Sequence, residues 1–131
     1  MSISVLVADD HPIIRAGIVS MLKDTEMNVV AEAATGNQAI EQAVKHHPDV
    51  VLLDIRMPET DGLDLIPRLR ATRPTSKIIA MSGGSWEWDY LDSAKQLGAN
   101  DTFKKPFSLQ ELLGPSRLSD HGQTRPLRRE S

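Results

Sequence analysis

Five short runs of apolar, largely β-branched residues recur along the chain, at 3–8, 29–33, 50–53, 77–81 and, more weakly, 101–103. Each is followed by a stretch whose apolar residues return every three or four positions, the period of a helix with one buried face. Residues 12–23 open with Pro12, which suits the first helical position, and place Ile14, Ile18, Met21 and Leu22 on one side. Within 37–47 the same spacing gathers Ala39, Ile40, Ala43 and Val44, and after Gly62 it gathers Leu63, Ile66 and Leu69. Beyond the Gly83-Gly84-Ser85 loop it gathers Trp88, Leu91, Ala94 and Leu97, with Gly98 closing the helix. A fifth helix is expected from Ser108, where Ser-Leu-Gln-Glu forms a capping box through Glu111, and Gly114-Pro115 cuts it short after Leu113. Pro67 falls inside the third helix and predicts a kink or a late start there.

Strands this uniformly apolar, alternating with helices, belong to a parallel sheet covered on both faces. The fold class is therefore α/β, a doubly wound five-stranded parallel sheet with helices on both faces. Right-handed crossovers leave few arrangements, and the flavodoxin-like strand order 2-1-3-4-5 is the commonest open one. In that order ligands bind beyond the carboxyl ends of the strands, at the switch point between strands one and three.

At 131 residues and 40% apolar content the chain fits one globular domain, read as residues 1–113, followed by a polar tail at 114–131 that is expected to be disordered. The absence of cysteine removes disulfides, thiolate metal sites and cysteine nucleophiles together. The apolar run at 3–8 is too short for a signal peptide and leads straight into Asp9 and Asp10, and no stretch is long enough to span a bilayer, so a cytoplasmic location is expected. Residues 1–113 carry 11 Lys and Arg against 16 Asp and Glu, whereas 114–131 carry 4 against 2. An acidic body repels a phosphate backbone, and the tail's Arg125, Arg128 and Arg129 have no aromatic beside them to stack on a base. Direct nucleic-acid binding is not expected.

The chemistry lies in the polar residues that end the strands. Strand one ends in Asp9-Asp10, strand three in Asp54, strand four in Ser82, and the fifth unit in Lys105 followed by Pro106. The fold would bring three carboxylates, a hydroxyl and an ammonium to one edge. Two unit charges at ~4 Å repel by roughly 4 kcal/mol at an effective dielectric near 20, so clustered carboxylates raise one another's pKa or recruit a cation. Oxygen ligands without Cys or His favour Mg²⁺ or another hard ion. Lys105 adds a point charge and Ser82 a hydrogen bond, equipment for stabilising a phosphoryl group in transfer. Asp54, alone at the end of the central strand and followed by a turn-like Arg-Met-Pro-Glu-Thr-Asp-Gly stretch, is the expected nucleophile, forming an aspartyl phosphate. Asp9 and Asp10 would hold the metal.

At these positions the chain resembles the receiver domain of two-component response regulators. The matching pieces are Val-Ala-Asp9-Asp10-His-Pro, Val-Val-Leu-Leu-Asp54-Ile-Arg-Met-Pro58-Glu-Thr-Asp61-Gly62, Met-Ser82-Gly83, Gly98-Ala99 and Lys104-Lys105-Pro106-Phe107, in order from Ile3 to about Leu113. The resemblance implies phosphorylation of Asp54 by a sensor histidine kinase or a histidine phosphotransfer protein, followed by contact with a downstream protein target. It also implies that Mg²⁺ is held by Asp10, Asp54 and the backbone carbonyl of Arg56, with Asp9 contacting the ion through water, and that Ser82 and Lys105 bind the phosphoryl oxygens. Such a protein catalyses only its own phosphorylation and dephosphorylation and is not otherwise an enzyme. Ser82 would swing inward on phosphorylation, its switch partner being Thr102, where receivers usually carry an aromatic. Arg56 and Gly84 stand where family members tune phosphoryl lifetime.

Taken singly, each residue has a plainer reading. Asp9 and Asp10 would form an acidic loop with Asp10 capping a helix, Asp54 a turn, and Lys104-Lys105 a solvated pair; their joint placement at strand ends outweighs this. His11, His46 and His47 read as surface or loop residues away from any ligand group, and Trp86 and Trp88 as loop and helix packing. A flavodoxin-like cofactor binder would need a hydroxyl- or glycine-rich loop where Asp9 and Asp10 stand, and an aspartate-nucleophile phosphatase a second acid where Arg56 stands. Two further readings remain: an isolated receiver fragment of a DNA-binding transcriptional regulator, and a receiver that binds partners without phosphorylation.

Overall fold

The computed structural model describes residues 2–57, 60–72, 75–82 and 88–104. The elements run β1 (Ile3–Ala8), α1 (Pro12–Leu22), β2 (Met27–Ala33), α2 (Gly36–His46), β3 (Val50–Asp54), the two-residue strands β4 (Arg56–Met57) and β5 (Thr60–Asp61), α3 (Gly62–Thr72), β6 (Lys77–Ser82), α4 (Trp88–Leu97) and β7 (Asp101–Lys104). Five strands form one sheet in the order β2-β1-β3-β6-β7, all pairs parallel, which is the expected 2-1-3-4-5 arrangement. The antiparallel β4–β5 ladder occupies the stretch after Asp54 that reads as a turn. Lys105, the expected fifth helix and the tail at 114–131 lie outside the described residues.

Because successive strand residues face opposite ways, β1, β3 and β6 feed two separate cores. Leu6, Ala8, Val51, Leu53, Ile78 and Ala80 pack with Ala39 and Ala43 of α2, Leu65, Ile66 and Leu69 of α3, and Ala94 of α4. On the other face Val5, Val7, Val50, Leu52, Ile79 and Met81 pack with Ile18 and Leu22 of α1. Helices thus cover both faces. Edge strand β2 is only partly buried, and its pairing with β1 steps from Val5↔Val29 to Leu6↔Ala31, leaving Val30 as an extra residue.

Helix ends follow local chemistry. Thr35 caps α2 by accepting a hydrogen bond from the Gln38 N–H at 3.1 Å, while the Gln38 side chain accepts from the Ala34 N–H at 2.8 Å. Gly98, at φ 127°, ends α4 with the Gly98 N–H donating to Lys95 and the Ala99 N–H to Ala94, a Schellman closure. Two expectations need correction. Pro67 neither delays nor ends α3, which begins at Gly62 and continues past it to Thr72; Pro67 lies on the exposed side, and burial of Leu65, Ile66 and Leu69 holds the helix. Ile14, Val44 and Leu97, in first or last helical turns, also remain exposed.

At the amino ends of the strands the polar groups pair with one another. The Asp49 carboxylate accepts from the Ser4 N–H at 2.9 Å and the Ser4 hydroxyl at 3.1 Å, tying β1 to β3. The Ser76 hydroxyl donates to the Pro48 carbonyl at 2.7 Å. Arg70, in the last turn of α3, donates to the carbonyls of Ser76 and Gly98 and to Asn100 Oδ1, and that same oxygen accepts from the Ile78 N–H. Desolvation lowers the Arg70 pKa from its ordinary value.

Candidate functional site

The opposite edge of the sheet is where β1 and β3, neighbours at the switch point, deliver Asp9, Asp10 and Asp54. Asp9 and Asp54 are buried and Asp10 is partly so. One carboxylate oxygen from each, together with a ring nitrogen of His11, lie within 4.8 Å of one another. The loop that brings them together is short and folded back on itself. The Asp9 N–H donates to Ala33 of β2, Asp9 Oδ1 accepts from the His11 N–H at 2.9 Å, and Arg15 of α1 donates to the Asp9 carbonyl at 2.6 Å. Arg15 also pairs with Glu32 at 3.0 Å, so the loop is braced against the edge strand.

His11 corrects the reading that placed it away from any ligand group. Its Nδ1 stands 3.0 Å from Asp9 Oδ1, 3.2 Å from Asp10 Oδ1 and 3.5 Å from Asp54 Oδ2, although the side chain is 55% exposed. The cause is the Asp9–His11 turn, in which a side-chain carboxylate two residues back captures the backbone N–H and turns the following ring inward. Nor does Asp10 cap α1: the capping position belongs to His11, with no side-chain cap bond. His46 and His47 are exposed, as expected.

The other expected residues are placed by register. Asp54 pairs with Met81, so Ser82, the fully buried last residue of β6, stands one position further toward the carboxyl edge in the adjacent strand. Ser82 pairs in turn with Lys104, the residue before Lys105, which lies outside the described residues along with Gly83, Gly84 and Trp86. Thr102 is half-buried and pairs with Ala80, and in-register parallel partners point to the same side, so Thr102 and Ser82 share a face of the sheet. Arg56 lies two residues beyond Asp54, in β4.

The donor set fits a divalent cation. Three carboxylates from two strand ends converge, and Asp10 Oδ1 is buried yet accepts no hydrogen bond, despite the nearby imidazole. A buried charged oxygen left without a donor is costly in a folded protein. A cation bound there removes that cost. No helix among the described residues is long and apolar enough to cross a membrane.

Comparison with known proteins agrees with this geometry. The family model for the response regulator receiver domain matches residues 5–115. The chemotaxis protein CheY of Listeria monocytogenes is 36% identical over 111 residues, covering 85% of this chain and 92% of CheY. The transcriptional regulatory protein PdtaR of Mycobacterium tuberculosis is 34% identical over 115 residues, covering 88% of this chain but 55% of PdtaR. Among solved structures, the signal receiver domain of NarL from Mycobacterium tuberculosis superposes with a TM-score of 0.79 at 34% identity, over 86% of this chain and 90% of that one. With the sheet order, the acidic edge and the sequence match all in agreement, this chain belongs to the response regulator receiver domain family, whose members work in signalling as phosphoryl acceptors.

Proposed function

We propose that the chain is a phospho-accepting switch in which Asp54 receives a phosphoryl group from a histidine kinase or a histidine phosphotransfer protein, in a Mg²⁺-dependent reaction. The observation that carries this reading is the convergence of Asp9, Asp10 and Asp54 at the mouth between β1 and β3, with Asp10 Oδ1 lacking a hydrogen-bond donor. An Asp54 carboxylate oxygen attacks the phosphorus. The phosphorus–nitrogen bond of the donor phosphohistidine breaks, and the departing imidazole takes up a proton. Asp10 and Asp54, with the Arg56 carbonyl, would hold the ion, and Asp9 would reach it through water. When bound, the ion offsets the negative charge that meets in the transition state. Lys105 and Ser82 would take the phosphoryl oxygens, and attack of water on phosphorus later restores the carboxylate.

Ser82 and Thr102, on one side of the sheet, are the groups through which occupancy of Asp54 would reach the outer surface and change what a downstream protein target meets there. The shift is between two pre-existing surface states. The domain carrying this chemistry is residues 1–113, with 114–131 a tail, and the reaction takes place in the cytoplasm. Incubation with Mg²⁺ and acetyl phosphate is expected to add one acid-stable, base-labile phosphoryl mass to the intact protein. Asp54→Asn should remove it; labelling that survives that substitution sinks the assignment.

A further inference from the structure

Resting on the metal reading above, we infer that His11 is an additional protein donor to the ion, and that its imidazole shifts the site's preference from Mg²⁺ toward first-row transition ions, with Mn²⁺ the paramagnetic probe among them. An all-carboxylate and carbonyl site suits Mg²⁺, whereas imidazole nitrogen suits transition metals. His11 alters that donor set. Its Nδ1 lies 3.0, 3.2 and 3.5 Å from one oxygen each of Asp9, Asp10 and Asp54. Ligands bound at ~2.1 Å and at right angles around an octahedral ion stand about 3.0 Å apart. The separations from Asp10 and Asp54, the two carboxylates that would bind the ion directly, are close to that of neighbouring ligands on one ion.

Among the described residues the ring hydrogen bond of His11 is to Asp9 Oδ1, at the heart of the cluster, and that oxygen also accepts the His11 backbone N–H, so the residue is fixed at its root while the ring is oriented inward. As a ligand, Nδ1 presents its lone pair to the metal, and the ring proton resides on Nε2. The carboxylates supply the charge. The imidazole supplies the softer donor, which a hard ion surrounded by water does not need and a transition ion gains from.

The test uses the 131-residue chain and the metals alone. Isothermal titration with Mn²⁺ and with Mg²⁺ is run on the unchanged protein, on His11→Ala and on Asp10→Asn, and pulsed electron paramagnetic resonance is recorded on the Mn²⁺-loaded unchanged protein. The expected result is ¹⁴N coupling to Mn²⁺ from a bound imidazole, absent in His11→Ala. The variant should also lose at least about tenfold in Mn²⁺ affinity, the low end of what losing even an outer-shell partner costs, while its Mg²⁺ affinity changes much less. Absence of ¹⁴N coupling with an unchanged Mn²⁺-to-Mg²⁺ ratio overturns the inference while leaving the metal site standing, provided that Asp10→Asn abolishes binding. Equal tightening of both ions in His11→Ala also overturns it, because the ring would then be an occupant that the ion displaces. Failure of the unchanged protein to bind either ion at millimolar concentration removes the metal reading itself.

Discussion

The two ends of the same strands hold their carboxylates under opposite regimes. At the amino end Asp49 sits between β1 and β3 with its charge answered by the backbone and hydroxyl of Ser4, and Arg70 satisfies two carbonyls and an amide oxygen nearby. At the carboxyl end, between the same two strands, Asp10 keeps a buried oxygen with no donor, and three carboxylates crowd into one cluster. The contrast separates a carboxylate whose charge is answered within the fold from one that keeps an oxygen open, as the proposed metal site requires. Between Asp49 and Asp10, both partly buried, it is the supply of donors and not burial that differs.

That contrast can be broken most forcefully at Arg70. Arg70→Ala should destabilise the fold by about 3 kcal/mol, since charge-assisted bonds are worth more than neutral ones and the partly buried carbonyls of Ser76 and Gly98 would lose their donor. Urea unfolding measures this, and phosphoryl loading of the remaining folded protein should be unchanged. The desolvation that lowers the Arg70 pKa penalises its charged form at every pH below the folded value and is relieved only above it. Because arginine stays protonated around neutrality, this clamp should give stability no slope there. A strong pH dependence lost in Arg70→Ala would contradict it.

A smaller change of opposite sign is expected at the other end. Asp10→Asn should stabilise the metal-free protein by about 1 kcal/mol, because it removes a charge from a like-charged cluster and its buried Oδ1 accepts no hydrogen bond. Thermal melts without divalent ions give the sign, and destabilisation would show that Asp10 is structural after all. Of similar size but destabilising, Gly98→Ala should cost about 1 kcal/mol. The added methyl meets Ile66 and Arg70 only at 3.6 Å or more, so the penalty comes from the positive φ, which an L side chain resists.

Much of this was legible in the chain. The apolar runs located all five main strands, and strand-end logic found Asp9, Asp10, Asp54 and Ser82, because a parallel sheet buries its strands whole and exposes chemistry only where they stop. Three things were hidden for physical reasons. His11 was read as a surface residue because its approach to the carboxylates depends on one turn; the Asp-x-His spacing, with a side chain able to capture the N–H two residues on, was the available signal. Arg70 carries no signal in the sequence, since the acceptors at Gly98 and Asn100 come from far along the chain. Helical periodicity marked the stripes containing Ile14, Val44 and Leu97 but not how far along and around each helix burial extends.

The extra residue in β2 has a bearing on how the protein keeps to itself. Val30 interrupts the ladder on the outermost strand, where Asn28 and Glu32 are also exposed. A foreign strand seeking to extend the sheet from that side would meet a change of step midway and a charge beyond it, both of which discourage templated growth. The same irregularity that seats Ala33 opposite Ala8, one residue before the acidic loop, thereby guards the open flank against aggregation.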